Sequence, residues 1–146
     1  MTRYLILVGS YTEEISTLLF DDDKGSLDLA STVKVGYHPS WITFHPSDRS
    51  IVFTGLEQSD GIAVALRFDE RGKGEVIGKT ASGGKEPCSV LATKDELLIA
   101  NVSDIVEELQ ATFFCTLLAG TTIELYHLIL QSTVIVLIRH LGLCPP

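Results

Sequence analysis

The 146-residue chain is long enough for one domain, and its 45% hydrophobic and 21% charged residues place it among folded globular proteins rather than disordered ones. Its formal net charge is −8 and it has no cluster of three neighbouring Lys or Arg, so the basic footprint of a nucleic-acid partner is missing. The three cysteines, Cys88, Cys115 and Cys144, match no short metal-ligand pair, and their odd number prevents complete pairing within one chain. They read as reduced thiols of an intracellular, cytoplasmic protein.

In chain order, Tyr4–Val8 is β-rich and ends at Gly9-Ser10, an apolar run too short for the core of a signal peptide. Ile15–Phe20 follows a polar turn, and Asp21-Asp22-Asp23-Lys24-Gly25 is a turn by composition. Leu27–Val35 is a further strand, closed by Gly36. His38-Pro39-Ser40 opens the next cycle, with a strand at Trp41–Phe44, a turn at His45-Pro46-Ser47-Asp48-Arg49 and a strand at Ile51–Thr54. Asp60-Gly61 is a hairpin signal leading into Ile62–Phe68, where Ile62, Val64, Leu66 and Phe68 alternate with Ala63, Ala65 and Arg67. Glu75–Thr80 completes that cycle, and a third opens at Glu86-Pro87-Cys88-Ser89 with strands at Val90–Ala92 and Leu97–Ala100.

An offset of 48 residues superposes the cycles. Phe20-Asp21 falls on Phe68-Asp69, Gly36 on Gly84 and Pro39 on Pro87. If the turn after Phe44 is shortened by two residues in the later copy, Ile51, Phe53 and Thr54 meet Leu97, Ile99 and Ala100. A strand-and-turn order repeating at this period belongs to the blades of a β-propeller, because a single four-stranded sheet cannot bury both faces and radial stacking covers them. The expected fold is therefore all-β: a partial β-propeller of about two antiparallel four-stranded blades over 1–104. A small β-sandwich of seven to nine strands is the alternative.

Residues 105–146 depart from this pattern. They hold three of the acidic residues and one of the basic ones. The spacing of Ile105–Leu118 is compatible with helix, and Val134–Ile138 suits a buried strand equally well. Uncharged stretches at Leu109–Ile123 and Leu125–Ile138 fall short of a bilayer span, with Glu124 between them, so a membrane partner is not expected. The abrupt onset inside a repeating cycle marks the tail as unrelated to the propeller, as an altered reading frame or retained intron would produce. Such a tail invites self-association, as does an unpaired strand edge.

The run Tyr4-Leu5-Ile6-Leu7-Val8-Gly9-Ser10-Tyr11-Thr12, with Leu19-Phe20-Asp21 and Gly25-Ser26-Leu27, resembles the opening of the seven-bladed lactonase family. That family includes propeller-type 6-phosphogluconolactonases and carboxymuconate cyclases. Pro39-Ser40-Trp41-Ile42, His45-Pro46, Glu57 before Gly61, Gly83-Gly84, Pro87-Cys88 and Ala100-Asn101 extend the resemblance over residues 4–103. It implies a central channel binding a lactone or a carboxylated diene acid, no cofactor or metal, and hydrolysis of a sugar-acid lactone such as 6-phosphogluconolactone. The alternatives are a cyclase-type isomerisation and a noncatalytic β-repeat acting through its exposed edge. Most of the family's catalytic residues lie in later blades, so this chain is expected to be inactive by itself.

Lactone hydrolysis needs an activated water and stabilisation of the oxyanion. His38, where the chain enters an inner strand near a channel mouth, and Glu57, after the next strand, are the catalytic candidates. His45 reads as a turn residue and Trp41 as packing between blades; Arg67 and Arg49 could attract phosphate or carboxylate, with Arg67, on the alternate face of its strand, most simply a solvated edge residue. Gly83-Gly84 lacks the strand-loop-helix context of a phosphate loop, and no Gly-x-Ser-x-Gly elbow occurs.

Overall fold

The computed structural model describes residues 2–102, together with the backbone of strands 111–117, 122–126 and 136–141. Among the described residues, twelve strands form three four-stranded antiparallel sheets. The central blade is a meander of β4 (Trp41–Phe44), β5 (Ile51–Leu56), β6 (Ile62–Phe68) and β7 (Gly74–Ala81). The third blade is another, made of β8 (Pro87–Ala92), β9 (Glu96–Val102), β10 (Ala111–Leu117) and β11 (Thr122–Tyr126). In the first blade, β1 (Arg3–Val8), β2 (Glu14–Asp21) and β3 (Ser26–Lys34) are joined on the inner side by β12 (Val136–Leu141). The fold is thus all-β, a partial and unclosed propeller, as the repeat predicts.

The repeat is visible in backbone detail. A bulge falls between Thr17 and Leu18 of the β2–β3 pair, and another 48 residues on, between Ala65 and Leu66 of β6–β7. The inner strands need a different offset. Thr54 pairs with Ile42 and Ile99 with Val90, so Val52, Thr54 and Gly55 correspond to Leu97, Ile99 and Ala100. The turn in the third blade is therefore three residues shorter, not two. Identities are too sparse there to fix a register that the hydrogen-bond ladder fixes directly.

Of the tail, Ile105–Leu118 has helix-compatible spacing, yet its described part, 111–117, is strand paired along β9 from Ala111↔Val102 to Leu117↔Glu96. A free strand edge offers backbone partners to any extended segment, and spacing in so apolar a run does not resist that pairing. Strand β12 pairs along β1 from Val8↔Val136 to Arg3↔Leu141. The remaining tail residues lie outside the described ones. Among the described residues no helix is long and apolar enough to cross a membrane.

The core lies between blades. Leu7, Ile15, Val35, Ile42, Val52, Leu56, Val64, Leu66 and Phe68 bury the seam between blades one and two. Phe53, Ala63, Val90, Leu97 and Ile99 bury the seam between two and three, joined by Trp41. Alternation along β6 therefore serves two seams: Val64, Leu66 and Phe68 face the first blade, and Ala63 faces the third. Trp41 also donates its indole Nε1–H to the Val90 carbonyl at 2.7 Å, in agreement with its reading as inter-blade packing. Polar stitches close the first seam at its far end, where the Gly72 carbonyl accepts from Thr17 Oγ1 at 2.8 Å and Ser31 Oγ at 2.6 Å.

Candidate functional site

In this topology the connections β1–β2, β3–β4, β5–β6 and β7–β8 emerge at one end of the sheets. Turns β2–β3, β4–β5, β6–β7 and β8–β9 emerge at the other. His38 and Glu57 lie in the first group, and His45 lies in the second. His45 is a turn residue, its Nδ1 accepting from the backbone N–H groups of Ser47 and Asp48. Arg67 is exposed on β6, and the Arg49 guanidinium stands 5.0 Å from the centre of the Phe44 ring.

The β3–β4 connection is pinned in an uncommon backbone conformation. His38 has φ of 51°, and its repeat counterpart Glu86 has φ of 50°. The His38 N–H donates to Thr12 O at 2.8 Å, and its carbonyl accepts from Ser40 N at 2.8 Å and Glu57 N at 3.2 Å. Glu86 makes the matching bonds, to Gln58 O and from Val102 N. The left-handed turn therefore ties each inner-strand entrance to its neighbouring loops, setting the position of the side chains around it.

At the surface of this turn, the His38 ring stacks on Tyr37 with centroids 3.5 Å apart and meets the edge of Tyr11 at 5.0 Å. Below it, buried Ser40 donates its hydroxyl to Glu57 Oε1. The phenol of nearby Tyr11 is pushed above its ordinary value. The Glu57 charge is the main cause, followed by burial, a hydrogen-bonding contribution from the same carboxylate and nearby Cys88. Burial, and then the Glu57 charge, likewise raise the Cys88 thiol, whose Sγ points at Ala100 O, 3.6 Å away. Both neighbours thus stay protonated beside the carboxylate.

The sequence candidates are brought to the same end, and Tyr11 links them, meeting the His38 ring edge-on and feeling the Glu57 charge. Sequence reasoning missed Tyr11, Ser40 and Cys88 as members of the cluster. No sequence signal marked them: the equivalence of Tyr11 with Glu57 emerges only from the matched bonds His38 N–Thr12 O and Glu86 N–Gln58 O, which place Thr12 on Gln58. Chemically, an ionised carboxylate offers about four acceptor directions. Ser40 uses one, leaving capacity for a water or a ligand hydroxyl. Among the described residues, no three His, Cys, Asp or Glu side chains converge as a metal site.

The family model described as "Lactonase, 7-bladed beta-propeller" matches residues 5–104. The chain belongs to this lactonase family. Among solved structures it is similar to a candidate 6-phosphogluconolactonase from Bacteroides fragilis, at 24% identity and TM-score 0.66, covering 83% of this chain and 34% of that one. The periplasmic gluconolactonase of Pseudomonas aeruginosa is similar at 26% identity and TM-score 0.64, covering 83% and 37%. A candidate 6-phosphogluconolactonase from Bacteroides uniformis gives 24% and 0.64, with 83% and 36% covered. The chain therefore spans about a third of the length of these relatives. A comparison with curated proteins gave no match.

Proposed function

We propose that this lactonase-family chain supplies one wall of a site for a sugar-acid lactone, with Glu57 receiving the ligand's hydroxyls or the attacking water and His38 facing the ring oxygen. The observation that carries this reading is the convergence of the Ser40–Glu57 hydrogen bond with Tyr11 and the His38 ring, Tyr11 meeting His38 edge-on. In hydrolysis, Glu57 takes a proton from water as the hydroxide adds to the lactone carbonyl. The tetrahedral oxyanion then collapses with cleavage of the ring C–O bond as His38, in its protonated form, donates a proton to the departing alkoxide; Glu57 then releases the water's proton to solvent, from which His38 is reprotonated.

A carboxylate at the centre of the wall suits a polyhydroxylated neutral ring better than a carboxylated diene acid, which places the cyclase reading second. For 6-phosphogluconolactone, the same charge directs the phosphate away from Glu57 and toward the opposite side of the ligand. Glu57 and His38 on one wall leave the tetrahedral oxyanion without a donor from the facing side, so the 146-residue chain binds without turnover above the spontaneous rate.

Titration with freshly dissolved glucono-δ-lactone, followed by NMR, tests this. Shifts centred on Tyr11, His38 and Glu57, lost in Glu57→Gln, are expected. Shifts centred on the far-end turns, or none at saturating ligand, would overturn the site. Hydrolysis well above the spontaneous rate would overturn the prediction of inactivity, and its loss in Glu57→Gln would still place the chemistry at Glu57.

A further inference from the structure

At the site end, the seam between blades two and three repeats the backbone of the seam between blades one and two, with different side chains. In the first copy the His38 N–H donates to Thr12 O at 2.8 Å, and the His38 carbonyl accepts from Glu57 N at 3.2 Å. In the second the Glu86 N–H donates to Gln58 O at 3.0 Å, and the Glu86 carbonyl accepts from Val102 N at 3.1 Å. With φ of 51° and 50°, the matched bonds orient the two Cα–Cβ bonds alike relative to the loops they are tied to.

In the first copy the side chains at these positions meet. Tyr11 directly precedes Thr12, and its ring lies 5.0 Å from the His38 ring. One blade on, Glu57 directly precedes Gln58 and takes the place of Tyr11, while Glu86 takes the place of His38. The two loops are held together at their other ends as well, by the Ser82 N–H donating to Gly61 O at 2.9 Å, and the Gly84 carbonyl fills the space that a Cβ on Gly61 would need. Where the first seam offers a phenol and an imidazole, the second therefore offers two carboxylates.

Carboxylates accept hydrogen bonds from the hydroxyls of a neutral sugar ring and repel a phosphate, which carries a charge of about −1.5 to −2 at neutral pH. The cations that would offset them are engaged or distant. Lys34 pairs with Glu13 at 2.6 Å, Lys79 donates to Val35 O at 2.6 Å, and Lys85 also has a partner. Arg3, Arg49, Arg67 and Arg71 stand toward the opposite end of the sheets.

We propose, on the basis of the lactone site above, that Glu86 is a specificity-determining residue of the same wall, acting with Glu57 to admit an uncharged, unphosphorylated lactone and to reject its 6-phosphate.

NMR titration of the 146-residue chain at low ionic strength with 1,5-anhydroglucitol and its 6-phosphate, stable rings that differ only in the phosphate, tests this. The neutral ring should bind at least tenfold more tightly. A doubly charged phosphate roughly 6 Å from one carboxylate in water-like surroundings loses about tenfold in affinity, less whatever salt screens. Glu86→Gln should therefore lower the preference at least threefold, chiefly by tightening the phosphate, and Glu86→Lys should lower it further. Asp60→Asn removes a charge from the Glu57 loop at neither matched position and should leave the preference unchanged. Glu86 and Asp60 are exposed, so all three variants should keep the wild-type Tm. An undiminished preference in Glu86→Gln, or an equal loss in Asp60→Asn, would overturn the proposal and leave the lactone site standing. So would a neutral ring that does not bind where glucono-δ-lactone does. Failure of glucono-δ-lactone itself to shift Tyr11, His38 and Glu57 would remove the site and the proposal with it.

Discussion

Gly9→Ala probes the seam on which the site is built. A Cβ placed on Gly9 would lie 2.3 Å from the carbonyl oxygen of Pro39 and 3.3 Å from Ile42 Cγ2. The first contact is roughly 1 Å inside van der Waals separation. It is made with backbone held by the β3–β4 turn, so no rotamer change relieves it, and the first two blades must move apart. Overpacking of this kind costs about 1–3 kcal/mol, and the rigidity of the obstacle places this case at the upper end, about 3 kcal/mol. For a chain of this size that lowers Tm by about 6–12 °C.

Gly55, the counterpart of Gly9 one blade on, would place its Cβ 2.9 Å from Pro87 Cβ and 3.0 Å from Pro87 O. Gly55→Ala should therefore cost less, about 1–2 kcal/mol. Gly78 on the outer strand has nothing within 4 Å of where an alanine methyl would stand, so Gly78→Ala should be neutral or stabilising by about 0.5 kcal/mol. Urea and thermal unfolding of the three variants give the ranking. Equal stability of Gly9→Ala and wild type, or equal damage at Gly9 and Gly78, would refute the close approach of the blades.

Three further outcomes follow from the charges. Replacing Glu57 by Gln should bring the Tyr11 phenol back toward its ordinary value, read as the ultraviolet phenolate titration that Tyr11→Phe removes. Because the folded pKa of Tyr11 is raised, its contribution to stability is complete below the ordinary tyrosine range and is lost as pH rises through the folded value; Glu57→Gln should flatten that alkaline loss. Cys88 should alkylate more slowly than an unfolded-chain thiol in peptide-resolved mass spectrometry, and faster once Glu57 is Gln. At Asp21, burial pushes the carboxyl up, but the Lys24 N–H and the Lys24 and Arg3 charges outweigh it and hold the group below its ordinary value. That contribution is present above the ordinary aspartate range and lost as pH falls through the folded value, so Asp21→Asn should show a smaller acid-induced loss of stability than wild type in denaturant titrations at successive pH values.

Of the candidate cluster, two members were read from the sequence and three were not. His38 was read at the entrance to an inner strand and Glu57 after the next strand, and the fold brings both to the same end. Tyr11 was hidden in an ordinary strand-ending run. Ser40 looked like turn composition, and only closure of the left-handed turn at His38 puts its hydroxyl on Glu57. Neither depends on a local pattern, since the contacts span 46 and 17 residues of sequence.

By itself, the sequence determined the all-β class, the cycle length and the family. These follow from alternation, turn chemistry and a recurring strand order, all of them local properties repeated along the chain. Tertiary structure decided the register of β9 relative to β5, the recruitment of β10, β11 and β12 to free strand edges, and the gathering of Tyr11 with Glu57. The physical reason is that backbone pairing and seam packing are selected by which edges and faces remain open once the blades stack, and no local run of residues encodes that.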